Sequence, residues 1–516
     1  MAFFQKGAPR KSQGFSRDTA AASCGGAGCI WKKPSIAFFS SSLTLLLSLL
    51  GITGGHICQS AVADELLASA PVGEAWKQAA EELIADASLV SIELAATIED
   101  WPLPDEEAAF DRQVIVAIDA DLSAPGWLAV AAEPVWQQFI GLRQQRADWF
   151  FAQAVAAIKQ PSNSEKAVSA NEAMRLLARV LRENPDHAQA RMGLGYVEHD
   201  GQWIWPNVGR RLDRGRTYSA TKGWISRSRQ PGPAVQSPRS DVKEPLPLAR
   251  ALTFESDHWE IRSTAGLAAA AELAGRLEQT RLVWLQAFGG FAVEPVELQQ
   301  RLSGSRKPRP TSSFTAVLLA NRQQYIDELQ RLEPRIAQTL GIYWTPTKTA
   351  WFFQGDEPPA KTIEHEATHQ LFAESRWTNR LAGEQCGMWA LEAVACYMES
   401  LEPTTFGFTL GGRNAGRVPA ARERLLEDGF LIPLRELCGL GRVELQRDPR
   451  LPQIYSQISG LADFFLNGES GRFRDAFVDY LRLIYRGTAR PDSLWKCCGC
   501  SPEQLDEAYR RHLTGP

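Results

Sequence analysis

Between Gly387 and Glu399 the chain reads Met-Trp-Ala-Leu-Glu-Ala-Val-Ala-Cys-Tyr-Met, an apolar run broken by a single carboxylate, Glu392. Apolar residues flank Glu392 on both sides, so a helix over this stretch carries its carboxylate into the interior. Burying an ionised carboxylate costs several kcal/mol unless it is paired, hydrogen-bonded or bound to a metal. Any fold of this chain must therefore bring a compensating group to Glu392.

The group best suited to that task lies upstream. The chain holds seven histidines, and two of them stand four apart in Thr362-Ile363-Glu364-His365-Glu366-Ala367-Thr368-His369-Gln370-Leu371. Pro358 and Pro359 just ahead mark a helix start, and Ile363, Ala367, Leu371 and Phe372 supply one apolar face. One helical turn between His365 and His369 puts both imidazoles on the same side, where they can share one ion. A catalytic zinc takes three protein ligands and leaves its fourth position to water. Glu366, directly after the first histidine, is placed to take the proton of that water as it attacks a carbonyl. Zn2+ is thus the expected cofactor, with His365 and His369 as ligands and Glu392 as the leading candidate for the third. Glu399, seven positions on and on the same helix face, is placed to orient a ligand or to bind in place of Glu392. Glu374 and Glu384 read as solvated, Cys396 as a small core residue and Trp389 as packing.

The totals leave room for such a site in a globular body. A length of 516 residues calls for two or three domains, and 44% apolar with 22% charged residues excludes both wholesale disorder and a multi-span membrane protein. With 56 Lys and Arg against 60 Asp and Glu, no global positive field selects nucleic acid. Residues 1–35 carry Lys6, Arg10, Lys11, Arg17, Lys32 and Lys33 against one acid, Asp18, ahead of an apolar run from Ile36 to Ile52 and the sequence Ala61-Val62-Ala63-Asp64. A basic start, apolar middle and AxA end describe a signal peptide over 1–63, with an uncleaved membrane anchor as the other reading. Both place the body outside the cytoplasm, in the periplasm or cell envelope. Six cysteines follow the leader; an even number permits disulfides there. The Cys497, Cys498, Cys500 cluster lacks a second pair at ligand spacing and reads as a disulfide or surface thiols.

Residues 64–226 read mainly as helices, among them Ala75 to Ala87 and Trp136 to Ile158. Asn171 to Trp203 resembles one tetratricopeptide-like helix pair turning at Asn184-Pro185-Asp186, and a helical scaffold or docking domain is the simplest reading of this half. The Pro-, Ser- and Arg-rich stretch 227–248 is the expected linker. Over 249–516, strands are expected at Asp257 to Ser263 and Phe314 to Ala320, a hairpin or paired edge strands over Ile342 to Phe353, and a long helix over Ala265 to Phe288. Helices dominate from Ala360. Strands first and helices afterwards predict an α+β domain.

The HExxH helix followed by Trp389-x-x-Glu392-x-x-Ala395-x-Tyr397-x-Glu399 resembles the gluzincin pattern of the peptidase MA-like superfamily. Asp257 to Ser263, Leu277 to Phe291 and Tyr455 to Leu466 extend the similarity over most of the chain after the linker, toward the uncharacterised bacterial family designated domain of unknown function 1570. The interval of 23 positions from His369 to Glu392 is longer than in the aminopeptidases of that group, Ala393 stands where a Gly is usual, and no GAMEN-like exopeptidase motif is present. The resemblance implies a mainly helical α+β, zincin-like metallopeptidase domain behind a helical one, acting on a peptide or protein substrate. It also implies an oxyanion role for a downstream tyrosine. Tyr455, 63 positions after Glu392, fits that place and also fits a core or capping tyrosine. The substrate is expected to pair along a strand edge at Phe314 to Ala320 or Trp351 to Phe353. The competing reading is a catalytically inactive scaffold that keeps its zinc structurally or has lost it.

Overall fold

Short segments rich in β-branched and aromatic residues suit a pleated surface covered on both faces. The computed structural model describes residues 72–103, 112–118, 122–159, 169–226, 245–355 and 361–515. The expected leader at 1–63, residues 227–244 of the expected linker, and Pro358 and Pro359 lie outside the described residues. The strands are β1 (Gln113–Val116), β2 (Val197–His199), β3 (Gln202–Ile204), β4 (Arg216–Ser219), β5 (Gly223–Ser226), β6 (Leu252–Glu255), β7 (Trp259–Ser263), β8 (Phe314–Leu319), β9 (Ile342–Trp344), β10 (Thr349–Phe353), β11 (Glu402–Thr404) and β12 (Gly407–Leu410). Helices make up most of the remainder, and the chain is α+β.

The main sheet has seven strands in the order β4-β5-β6-β7-β8-β10-β9. It is mixed: β7 with β8 and β8 with β10 run parallel, while β9 pairs antiparallel with β10. The period of two along β8 shows how the sheet is covered. Phe314, Ala316 and Leu318 enter the large core shared with the helices, and Val317 and Leu319 pack on the other face with Tyr325 and Leu329 of the helix Arg322–Leu329. This order corrects one expectation. Phe314 to Leu319 is an interior strand paired with β7 and β10, whereas Trp351 to Phe353 pairs with β8 along one side and, on the other, with the short edge strand β9 at Trp351 alone. A hydrophobic pattern marks a strand but not its rank in the sheet, which long-range pairing decides.

Strands β4 and β5, in the part expected to be helical, join the same sheet. Arg216 donates from Nη1 and Nη2 to both carboxylate oxygens of Glu255 at 2.6 and 2.9 Å, and Trp224 Nε1 donates to Asp257 at 2.9 Å. Each strand is four residues long and of mixed polarity, too little to show a period.

The long helix Leu267–Ala292 is the axis of the molecule. Its Leu273, Leu277, Trp284 and Phe288 join the core that also contains β7 and β8. Its last turn meets the helix Ala170–Glu183, where Asn171 donates to Ala287 O and accepts from Gly290 N, each at 3.1 Å. Only glycine allows this approach, since a Cβ at Gly290 would stand 2.6 Å from Asn171 N. The Gln286 amide takes the place of a strand partner for Val116, donating to its carbonyl at 2.8 Å and accepting from its N–H at 3.0 Å. Strand β1 is also paired antiparallel with β12, so the amino-terminal helices are fastened to the body at two points.

The helix pair turning at Asn184-Pro185-Asp186 comprises Ala170–Glu183 and a second helix, Ala188–Leu194, of only seven residues. Among the described residues, Cys386, Cys396, Cys438, Cys497, Cys498 and Cys500 are free thiols. No helix among the described residues is long and apolar enough to cross a membrane.

The amino-terminal helices share one polar hub. Glu183, 1% exposed, accepts from Trp101 Nε1 at 2.8 Å, from Arg143 Nε at 3.1 Å and from Arg182 Nη1 at 3.0 Å, and lies 3.5 Å from Arg146 Nη1. Burial pushes the Arg146 guanidinium down to about 10 against the attraction of Glu183. Removing one member of a buried ionic network leaves the others uncompensated, at a cost of about 3–5 kcal/mol. Glu183→Ala is therefore expected to lower the unfolding free energy measured by urea titration by that amount, and a change within about 0.5 kcal/mol, the range of ordinary surface substitutions, would show the hub to be unimportant.

Candidate metal centre

The motif residues lie on the helix Thr362–Glu374, with Ala367, Leu371 and Phe372 turned into the core. Phe372 stacks on Tyr485 at 5.6 Å between ring centroids and meets Trp284, Phe288 and Phe291 edge-on. The helix is also fixed electrostatically: Arg276 of the long helix donates from Nη2 to both oxygens of Glu364 at 2.8 Å and from Nε at 3.2 Å. Such a forked pair fixes rotation as well as position, which sets the direction in which His365 and His369 emerge.

The helix Met388–Met398 is buried along its whole length, and Trp389 packs against Phe477 at 5.9 Å. It delivers Glu392, 2% exposed, to the two histidines. His365 Nε2 and His369 Nε2 are 3.2 Å apart, and Glu392 Oε2 lies 3.6 and 3.8 Å from them. Ligand atoms bonded to one tetrahedral zinc at 2.0–2.1 Å stand about 3.4 Å from each other. The three donor atoms therefore fit a single ion, and both the imidazole nitrogens and the carboxylate are of the type zinc takes.

Behind His365 a second carboxylate fixes the ring. Its Nδ1 stands 2.8 Å from Glu399 Oε1, and Glu399 is held in turn by Arg417, whose Nε donates to Oε2 at 3.0 Å and Nη2 to Oε1 at 3.1 Å. A proton on Nδ1 facing Glu399 leaves the Nε2 lone pair for a metal. Burial opposes charge on His365, but hydrogen bonds with Cys396, Glu392 and Glu399 outweigh it and hold the imidazole well above its ordinary value. Burial pushes His369 down to about 3 despite the opposing charge of Glu392. Burial also disfavours charge on Glu392, yet the positive charge around it, the hydrogen bond with His365 included, keeps its carboxyl well below the usual range.

Two further side chains complete the cluster. The Tyr455 hydroxyl donates to Glu392 Oε2 at 3.0 Å, and burial raises its pKa, so it stays a protonated donor. Glu366, 2% exposed, accepts the backbone N–H of Tyr343 at 2.6 Å. The structure thus gathers His365, His369, Glu392 and Tyr455 at one point, with Glu366 on the same helix and Glu399 behind the first histidine. Cys396 is buried as expected, and it also forms a second close group with His365 and Glu399.

Glu374 departs from expectation. It is half-buried, accepts from Gln370 Nε2 at 3.0 Å and from the Tyr343 hydroxyl at 3.2 Å, and burial raises its pKa. Glu384 is bound by Arg442 Nε at 2.6 Å. Arg276, Arg417 and Tyr343 were not visible as site residues, because none carries a local pattern that ties it to the motif. No family model, curated protein or solved structure matches this chain.

If Glu399 orients His365, Glu399→Gln should weaken zinc binding by about 10–100-fold, the usual effect of losing an outer partner of a metal ligand. Isothermal titration with zinc measures this, and wild-type affinity in the variant would remove Glu399 from the site. Glu392→Ala should lose the ion entirely at concentrations that saturate the wild type.

Proposed function

We propose that the chain is an exported zinc-dependent hydrolase of the gluzincin, peptidase MA-like kind, akin to the domain of unknown function 1570 family, that cleaves peptide bonds. The observation that carries the reading is the convergence of His365 Nε2, His369 Nε2 and Glu392 Oε2 within 3.2–3.8 Å of one another, beside a buried glutamate that follows the first ligand in sequence. His365, His369 and Glu392 would hold the ion. Bound there, zinc supplies Lewis acidity toward a carbonyl and toward water.

The remaining chemistry belongs to the chain. Glu366 takes a proton from the attacking water and passes it to the leaving nitrogen, so one carboxylate serves as base and then as acid. Tyr455, kept protonated by burial, offers an O–H to the oxyanion that develops at the carbonyl. Glu399 and Arg417 keep His365 in the tautomer that presents Nε2. The sheet edge next to Glu366 is β9, and an extended peptide laid beside that edge gains main-chain hydrogen bonds without a demand for particular side chains. The zincin-like domain of this reading takes in β6 onward, and the amino-terminal helices, with their tetratricopeptide-like pair, serve as its scaffold. The leader directs the protein to the periplasm or cell envelope, cleaved or as a membrane anchor. Nucleic acid is not a partner.

The test is zinc analysis of the purified protein together with a casein or peptide-library assay beside Glu366→Gln. The variant should retain stoichiometric zinc and lose about 10²–10⁴ in kcat, the contribution of a general base. Equal turnover in wild type and variant would defeat the mechanism even with zinc present. Tyr455→Phe should lower kcat by about 10²–10³ with zinc content unchanged, as removal of one oxyanion donor does; loss of zinc instead would make Tyr455 a support of Glu392 alone.

A further inference from the structure

Tyr343 touches two carboxylates of the motif helix at once. Its backbone N–H donates to Glu366 Oε2 at 2.6 Å, and its hydroxyl donates to Glu374 Oε1 at 3.2 Å. Glu366 and Glu374 are eight residues apart, a little over two helical turns, and so share one face of the helix. Both contacts come from the middle residue of the three-residue edge strand β9, whose only sheet partner among the described residues is β10. So short an edge strand has little stiffness of its own, and whatever fixes it has to come from outside the sheet.

Three features supply that stiffness. Gln370 ties Glu374 to the body: it donates from Nε2 to Glu374 Oε1 at 3.0 Å and to Thr315 O of β8 at 3.0 Å, and its Oε1 accepts from Trp259 Nε1 of β7 at 3.1 Å. The absence of a side chain at Gly341 lets the start of β9 lie against the helix, since a Cβ there would stand 2.6 Å from Thr362 Cγ2 and 3.4 Å from Glu366 Cγ. Burial raises the pKa of Tyr343, which keeps the phenol a donor.

From these contacts we infer that Tyr343 is a positioning residue: its hydroxyl, anchored on Glu374, fixes the edge strand so that its main-chain N–H holds the Glu366 carboxylate in place. A short hydrogen bond from a main-chain N–H to an ionised oxygen orients the carboxylate, and proton transfer in an active site tolerates displacements of only about 0.5 Å. The same residue sets how far the sheet edge stands from the base. The inference rests on the proposed role of Glu366 for its consequence in catalysis, whereas the tether itself does not depend on that role.

The test has two arms. In the first, hydrogen–deuterium exchange resolved to single amides is followed for Tyr343 in the full chain. In the wild type this amide, on a sheet edge, should exchange at least about tenfold more slowly than an edge amide without a partner, and Tyr343→Phe and Glu374→Ala should each release it. Glu374→Gln, which keeps an acceptor oxygen for the phenol, should restore the protection. Unchanged protection in Tyr343→Phe overturns the tether whatever the protein hydrolyses. In the second arm kcat and KM are measured for a peptide substrate. Tyr343→Phe and Glu374→Ala should each lower kcat by about tenfold, a fraction of the loss that a misplacement of about 1 Å brings, with zinc content unchanged, and the double variant should be no worse than either single one. Wild-type kcat in Tyr343→Phe, or additive losses in the double variant, contradicts the positioning role. A wild type whose turnover does not depend on Glu366 contradicts the proposed function instead and leaves the exchange result to decide the tether.

Discussion

The carboxylate of Glu392 sits in a helix whose every residue is buried. That one placement governs much of what surrounds it. An isolated charge there is untenable, and three polar side chains converge to compensate it: His365, His369 and Tyr455 all place an atom within 3.8 Å of Glu392 Oε2. The compensation is itself layered. His365 is backed by Glu399, Glu399 by Arg417, and the helix bearing both histidines by the forked pair of Glu364 with Arg276. Removing any layer leaves a buried charge facing a partner that is free to turn away, so the layers hold geometry more than they add stability. A divalent cation among the three donor atoms would compensate the same buried carboxylate.

The sheet serves this centre from the other side. Its edge strand β9 lies close to the motif helix, where a Cβ at position 341 would stand 2.6 Å from Thr362 Cγ2. Tyr343 then reaches Glu366 through its main chain and Glu374 through its ring. On the proposed reading, the strand that receives substrate and the group that moves the proton are parts of one hydrogen-bonded unit, so binding geometry and proton transfer are set together. The amino-terminal helices stand apart from this chemistry. They are fastened to the long helix through Asn171 and Gln286, and to the carboxy-terminal part through the pairing of β1 with β12.

What the sequence made legible follows from how local each signal was. The four-residue spacing of His365 and His369 on an amphipathic segment fixes their mutual geometry within one helical turn. A carboxylate in an apolar run announces its need for a partner, and Glu399, two turns on from Glu392, shares its face by helical period alone. The helices, the α+β class and the β7, β8 and β10 segments were readable for the same reason. Sheet order was legible only in part: Ile342 to Phe353 reads as a hairpin or paired edge strands, as β9 and β10 are, whereas the interior place of β8 depends on pairings across the whole domain. Arg417 lies after a glycine-rich loop with no period, so its reach to Glu399 leaves no trace in spacing. The tie from Tyr343 to Glu366 runs through a main-chain N–H, which every residue but proline has. Glu374 reads as solvated when its own helix is considered alone, and only the arrival of β9 covers it.

The central claim is that two imidazoles and one carboxylate bind one divalent cation, and zinc X-ray absorption spectroscopy on the purified protein tests it most directly. The account predicts a first shell of nitrogen and oxygen alone at about 2.0–2.2 Å, with two imidazoles in the outer-shell scattering. It also predicts that the signal vanishes in Glu392→Ala. A sulfur shell near 2.3 Å, pointing to Cys396 or the Cys497, Cys498 and Cys500 cluster, or an undiminished imidazole signal in Glu392→Ala, would contradict it.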